Sequence, residues 1–307
     1  MNYRKPLLIV LGEPNSTFIE ILARTLNKIE IKRKIKNPII LIGSELLILS
    51  QLKILNQKLN FKKIDTNLTN IQKLEKKFYL IDIKYSFNSA FENISKYSKQ
   101  YIADCFDAGL NILNRGLSDL IVNGPISKKH FLNKKTPGIT EYVFEKAKIK
   151  KSKNPTMLIF NKKLSVSPIT THIKVKNISK IISNKKFLYN QIKNLNNTLK
   201  IDFNITKPKL IISGLNPHAG ESGKIGREEI EIISPVVKSL KNKKILIDGP
   251  ISPDSMLINV NMKKYDCFIF IYHDQALIPF KYISQFSGVN YTGNLSIIRV
   301  SPDHGTA

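Results

Sequence analysis

The chain has 307 residues, 42% of them hydrophobic, with 49 cationic and 23 anionic side chains and a formal net charge of +26. That is enough apolar material for one large α/β core or two ordinary ones, while no apolar stretch approaches the roughly 20 residues of a membrane helix and no signal segment precedes Gly12, so a soluble cytoplasmic protein is expected. Only six of the cationic residues are Arg; the lysines are scattered beside much Ile and Asn, a set that A/T-rich codons favour, and Arg is the residue suited to bidentate base and phosphate reading, so a solvated basic surface ranks ahead of a nucleic-acid site.

In chain order, "LLIVLGEP" reads as a strand and "STFIEILARTLNKI" as a helix with Ser16 as N-cap. "NPIILIGS" and "ELLILSQLKILNQ" repeat the pattern. "FYLIDI" is the next strand, followed by a long helix in "SKYSKQYIADCFDAGLNILNRG" that Gly116 ends. "SDLIVNGPIS" is a strand closed by Asn123-Gly124-Pro125. "TPGITEYVFEKAK" follows, then two strand-like runs in "TMLIFNKKLSVSPIT" and a Lys/Asn-rich helix over roughly 175–200. "KLIISGLNP", "EEIEIISPVVKSL", "KILIDGP", "YDCFIFIYHDQ" and "LSIIRVSPD" complete the series. Strands alternating with helices predict an α/β fold with a mainly parallel sheet covered on both faces. The Asn/Lys-rich "NLNNTLKIDFNITKPK" is a candidate crossing between lobes. Cys105 and Cys267 sit in apolar surroundings and read as two buried thiols.

Ligands of open α/β sheets bind at the carboxyl ends of strands. Here those ends carry Gly12-Glu13-Pro14, Asn123-Gly124-Pro125, Thr171-His172, Asn216-Pro217-His218, Asp248-Gly249-Pro250 and Tyr272-His273-Asp274. Three of the five histidines occupy such positions. A single His at a strand tip is usually a hydrogen-bonded loop residue, but three imidazoles converging would bind a divalent metal and leave positions open for substrate. His130 reads as exposed, and His304 stays open between a structural and a site role. Lys281, Asn290 and Arg299 together suit a phosphate: a point charge, a neutral donor and a fork. Arg299 is the most informative of these, because "IIRV" is an apolar strand in which an unpaired guanidinium is costly. No Walker loop, G-x-G-x-x-G, Cys-x-x-Cys or Ser/His/Asp motif is present. Gly223 and Gly226 in "GKIGRE" are weak candidates for a backbone cradle at a helix N-terminus, for an anion or a dinucleotide.

Taken together, "LGEP", "VNGPISK", "GITEY", "THIKV", "SGLNPHAGESGKIGREE", "DGPISPDSM", "YHDQALIPFKY" and "GVNYTGNLSIIRVSPDHGTA" resemble the 4-hydroxythreonine-4-phosphate dehydrogenase family of vitamin B6 biosynthesis, nearly end to end. The resemblance implies a two-lobed α/β/α fold similar to isocitrate and isopropylmalate dehydrogenases, with a cleft between lobes and a homodimer whose sites are shared. It implies one catalytic unit over 1–307, two interleaved lobes with crossings near 125–135 and 200–250, and a family helix absent after Ala307. By matching motif, His172, His218 and His273 inherit one divalent metal (Zn, Mg or Co). Thr140, Lys281, Asn290 and Arg299 inherit the phosphorylated substrate, and Asp254 and Asp274 a catalytic role in the same pocket. The implied reaction is NAD- or NADP-dependent oxidation of 4-phosphooxy-L-threonine to a 3-oxo acid that decarboxylates to 3-amino-2-oxopropyl phosphate. One departure bears on substrate: Ile139 stands where the family usually has a substrate-contacting His. A related phosphorylated hydroxy acid is therefore the alternative substrate, and an inactive, basic nucleic-acid-binding relative the alternative of another class.

Overall fold

The structure is a computed structural model that describes residues 4–28, 34–66, 74, 78–132, 138–147 and 154–306. The chain divides into two compact units, Met1–Lys150 with Leu295–Ala307, and Lys151–Asn294. It thus changes unit at 150/151 and at 294/295 rather than near 125–135 and 200–250. The Asn-Gly-Pro turn at 123–125 ends a strand, but the chain then stays in the first unit through two more helices. The Asn/Lys-rich stretch is the end of a helix and a short loop, both inside the second unit.

The first unit is built on mostly apolar strands, β1 (Leu7–Val10), β2 (Ile39–Gly43), β4 (Phe78–Asp82), β5 (Leu120–Asn123) and, from the end of the chain, β12 (Ile298–Pro302), with an exposed two-residue β3 (Lys62–Lys63) at one edge. Their order is β3-β4-β2-β1-β5-β12, all parallel. Strands apolar on both sides require cover on both sides, and the alternation of side chains delivers it. Ile9, Ile39 and Leu41 pack with Phe18 and Leu22 of α1 (Phe18–Asn27) and Ile48 and Leu52 of α2 (Glu45–Ile54). Leu8, Val10, Ile40 and Ile42 pack with Ile102 and Phe106 of α3 (Ser98–Asn114), and a one-turn α4 (Lys128–Phe131) leads into α5 (Ile139–Lys146), which adds Val143 and Phe144 to that cluster. Gly116 ends α3 in the left-handed region, φ +70°, as expected. Ser44 caps α2 by accepting from the Leu47 amide. Ser16 does not cap α1 in the expected way. The helix begins at Phe18, and the Ser16 hydroxyl donates to the Glu13 carbonyl, so it serves the turn that follows β1.

The second unit opens with a hairpin, β6 (Thr156–Phe160) and β7 (Ser165–Thr170). The helix expected over roughly 175–200 is two, α6 (Ile178–Ile182) and α7 (Lys185–Ile201). Asn184 breaks them apart by capping the second, its side chain accepting from the Phe187 amide. Then come β8 (Lys209–Ser213), α8 (Ser234–Asn242) entered through a π-turn at Glu229–Ile233, β9 (Leu246–Ile251), α9 (Asn259–Lys264), β10 (Cys267–Tyr272), α10 (His273–Ser284) and β11 (Val289–Gly293). The sheet order is β11-β6-β7-β10-β8-β9. β11 and β6 are antiparallel, whereas β7, β10, β8 and β9 run parallel, so the carboxyl ends of those four lie along one edge. Met157, Val166, Ile211, Phe268, Phe270 and Phe280 form the core beneath it. Cys105 and Cys267 are free and buried, and burial pushes the Cys105 thiol up to about 12. Among the described residues, no helix is long and apolar enough to cross a membrane.

Candidate functional site

The parallel edge of the second unit collects most of the expected site residues. His172 lies two residues past β7, His273 opens α10 directly after β10, His218 follows β8, and Asp254 follows β9. The strand tips are stitched by side chains. Thr170 Oγ1 donates to the Ile271 carbonyl at 2.8 Å, tying β7 to β10. Gln275 Oε1 accepts from the Ile271 amide at 2.9 Å and from Ser213 Oγ at 3.1 Å, while its Nε2 donates to the Gly214 carbonyl at 3.0 Å, tying β10 to β8. This places the His172 and His273 rings 5.6 Å apart, centroid to centroid. Asp274 Oδ1 lies 2.6 Å from His273 Nδ1. A carboxylate on one ring nitrogen fixes the tautomer and leaves the other nitrogen as a lone-pair donor, the usual support for a metal-bound imidazole. Two neighbouring imidazoles suit a divalent first-row cation. Among the described residues, however, no three His, Cys, Asp or Glu side chains stand together closely enough to hold a metal, so the single chain does not by itself close a three-imidazole site.

His218 is presented by an unusual backbone. His218, Ala219, Gly220, Glu221 and Ser222 all have left-handed φ/ψ, from (50°, 31°) at His218 to (56°, 31°) at Ser222, and Gly223 follows at φ +92°. L-residues with a Cβ pay about 1–2 kcal/mol each for this conformation, so the four non-glycine residues make a strained turn that surrounding contacts must hold. Asp254 lies within electrostatic reach of His218. Its carboxyl sits below the ordinary range, first because Ser252 hydrogen-bonds it, with His218 a smaller contribution. The glycines expected as a cradle have neighbours of their own. A Cβ on Gly226 would fall 2.2 Å from Asn216 Nδ2, and one on Gly223 would fall 3.2 Å from Ile230 Cδ1. Gly226 is there for close packing.

The first unit carries a buried cation. Arg299 on β12 is 1% exposed. Its Nε donates to Asn123 Oδ1 at 2.8 Å and its Nη1 to Thr140 Oγ1 at 3.3 Å. Asn123 ends β5 and Thr140 sits in the first turn of α5. Burial lowers the guanidinium to about 10, countered in part by Glu141, so the charged form is penalised here. An anion brought to this spot offsets that penalty. Ile139 packs against the first unit's core.

Of the expected residues, the structure brings His172, His273 and Asp274 together, sets Asp254 beside the His218 turn, and joins Thr140 to Arg299. Asn290 lies on β11 with a buried Oδ1 that accepts no hydrogen bond, and Lys281 is exposed on α10. Asn123, Gln275 and the pair Glu228 and Glu229 were not singled out for a role. Asn123 reads as part of a strand-end turn, and the other three gain their roles from groups that the fold carries to them.

Residues 34–307 match the family model for the pyridoxal phosphate biosynthetic protein PdxA. The chain is 35% identical over 302 residues to the 4-hydroxythreonine-4-phosphate dehydrogenase of Sulfurihydrogenibium sp. (strain YO3AOP1), covering 98% of this chain and 90% of that one. It is 35% identical over 308 residues to the enzyme of the same name from Aquifex aeolicus (strain VF5), covering 99% and 91%. Among solved structures, the 4-hydroxythreonine-4-phosphate dehydrogenase of Klebsiella pneumoniae superposes with a TM-score of 0.81 at 25% identity, covering 100% of this chain and 92% of that one. With a match that runs through both units, the chain belongs to the PdxA family of pyridoxal phosphate biosynthesis.

Proposed function

We propose that the chain is an NAD(P)-dependent, divalent-metal-dependent dehydrogenase that oxidises 4-phosphooxy-L-threonine to the 3-oxo acid, which then loses CO2 to give 3-amino-2-oxopropyl phosphate. The observation that carries the reading is the His172–His273 pair on adjacent strand tips, with Asp274 orienting one ring. His172, His218 and His273 would hold the cation, which when bound supplies Lewis acidity at the substrate hydroxyl oxygen. The nicotinamide supplies the hydride acceptor. Asp254, ionised at neutral pH and next to the His218 turn, or Asp274, receives the hydroxyl proton. Arg299 with Thr140 in the first unit, and Lys281 and Asn290 in the second, are assigned to the phosphorylated substrate, whose binding energy then orients the reacting carbon. Ile139 favours a second reading, in which a related phosphorylated hydroxy acid is the substrate, because the apolar side chain removes a polar contact.

A second copy of the chain is part of this reading. Ile278 and Tyr282, four apart on α10, and Phe286 just past its end are 70%, 87% and 93% exposed. That stripe starts five residues after His273 on the same helix, and we assign it to the second copy.

The test is metal analysis of the purified protein beside an NADH-formation assay over a panel of phosphorylated hydroxy acids. The reading expects about one divalent cation per chain, lost in His218→Ala, and turnover of the threonine phosphate. Turnover only of another acid selects the second substrate. Full metal content in His218→Ala, or no metal and no turnover in the parent, rejects the reading.

A further inference from the structure

We infer that Glu229 is the positioning residue of the His218 turn: its buried carboxylate holds the left-handed run in the conformation that presents the imidazole to the strand edge. The consequence for metal binding rests on the function proposed above; the positioning itself does not.

Glu229 is 3% exposed and opens the π-turn before α8. Its Oε1 accepts from the Leu215 amide at 2.7 Å and the Asn216 amide at 2.8 Å, and its Oε2 accepts from Asn216 Nδ2 at 3.0 Å. The same Asn216 Nδ2 donates to Glu228 Oε2 at 2.8 Å, and Glu228 Oε1 accepts from Ser179 Oγ at 2.8 Å, which ties the entry of the turn to α6. The Glu229 carboxylate is also the floor of the turn. A Cβ on Gly220 would lie 2.6 Å from Oε2, and one on Gly214 2.9 Å from Oε1. The backbone bonds internal to the turn are long: Ala219 to Asn216, Lys224 to Glu221 and Ile225 to Gly220, each 3.2 Å. One carboxylate therefore grips the turn at its entry and supports it at its middle. Three donors converge on two oxygens, which suits an acceptor-only group; a Gln would point its amide N–H2 at that of Asn216 or lose one contact. Without the carboxylate, the non-glycine residues relax toward right-handed or extended backbone, and rotation about φ of His218 swings its ring away.

The experiment uses the full-length chain with Glu229→Ala, Glu229→Gln and Gly220→Ala, read by amide hydrogen exchange over 214–224 and by cobalt(II) affinity in competition with a chromophoric chelator. Glu229→Ala should speed exchange in that segment at least tenfold with the rest unchanged, and weaken cobalt binding at least tenfold. Glu229→Gln, which keeps a carbonyl for the two amides, should fall between. In a His218→Ala background, Glu229→Gln should change cobalt affinity no further, since it acts through that ring. Unchanged exchange over 214–224 in Glu229→Ala overturns the inference, as does an equal loss of cobalt affinity in both backgrounds. If His218→Ala alone leaves cobalt affinity intact, the metal reading fails and the exchange result by itself decides the inference. Should Glu229→Ala not fold, Glu229→Gln and Gly220→Ala carry the same measurements, because the added Cβ pushes on the carboxylate from the other side.

Discussion

A guanidinium buried in a strand is a choice between stability and binding. Arg299→Met keeps much of the volume and removes the charge. Because burial opposes the charge while Asn123 and Thr140 lose a donor, the two effects nearly cancel, and the urea unfolding free energy should stay within about 2 kcal/mol of the parent. The KM for a phosphorylated substrate should rise roughly 10- to 100-fold, the worth of a charged hydrogen bond. A collapse of stability with KM unchanged would make Arg299 a structural residue only. Its importance was legible in the sequence, since an Arg inside "IIRV" has to be explained. Glu13 was not legible, because its environment depends on how the turn after β1 folds inward. It is 2% exposed, its Oε1 accepts no hydrogen bond, and burial raises its carboxyl above the usual value. A raised carboxyl contributes stability below its unfolded value, near 4.5, and that contribution is lost as pH rises through the folded value. Glu13→Gln should therefore raise the melting temperature at pH 8 and leave it near the parent at pH 4; the opposite ordering would show the carboxylate to be favoured in place.

Elements were legible where their signal is local. The strands β1, β2, β4 and β10 are apolar runs, the first two bounded by Pro and Gly, while Ser44 caps α2 and Gly116 stops α3. β11 was missed because the alternation in "VNYTG" covers only four residues and is set among Gly and Asn, and its place comes from pairing with β6. The turn after β8 has the composition of a flexible loop, yet it is a single fixed left-handed turn, because the residues that hold it lie up to 14 positions away. Cross-strand stitching is likewise non-local. Gln275→Ala should break three bonds that align the tips of β8 and β10, lowering unfolding free energy by about 2–3 kcal/mol and kcat by more than KM, since the rings move relative to each other. Equal loss in Gln275→Ala and a distant surface variant of matched stability would separate global weakening from misalignment.

For the molecule as a whole, the lysine excess gives an attractive, salt-screened field toward anions, and Ile278, Tyr282 and Phe286 leave an exposed apolar stripe on and just past α10. Tyr282→Asp with Ile278→Asp should shift sedimentation toward the monomer and reduce bound metal along with turnover; a monomeric, metal-replete and active variant would refute shared sites. Sequence periodicity could expose the stripe but not its use, because partner surfaces leave no period of their own. The return of β12 to the first unit has a further consequence for how the protein is made. Until residues 295–306 leave the ribosome, β5 ends its sheet with a bare hydrogen-bonding edge, and Leu295 and Ile297 are missing from the hydrophobic cluster above it. The middle segment can reach its fold while the first-made half waits for its last strand. Arg299 is thus installed only after the whole second unit has been made, and a nascent chain stalled short of β12 presents a bare, sticky edge that chaperones are suited to shield.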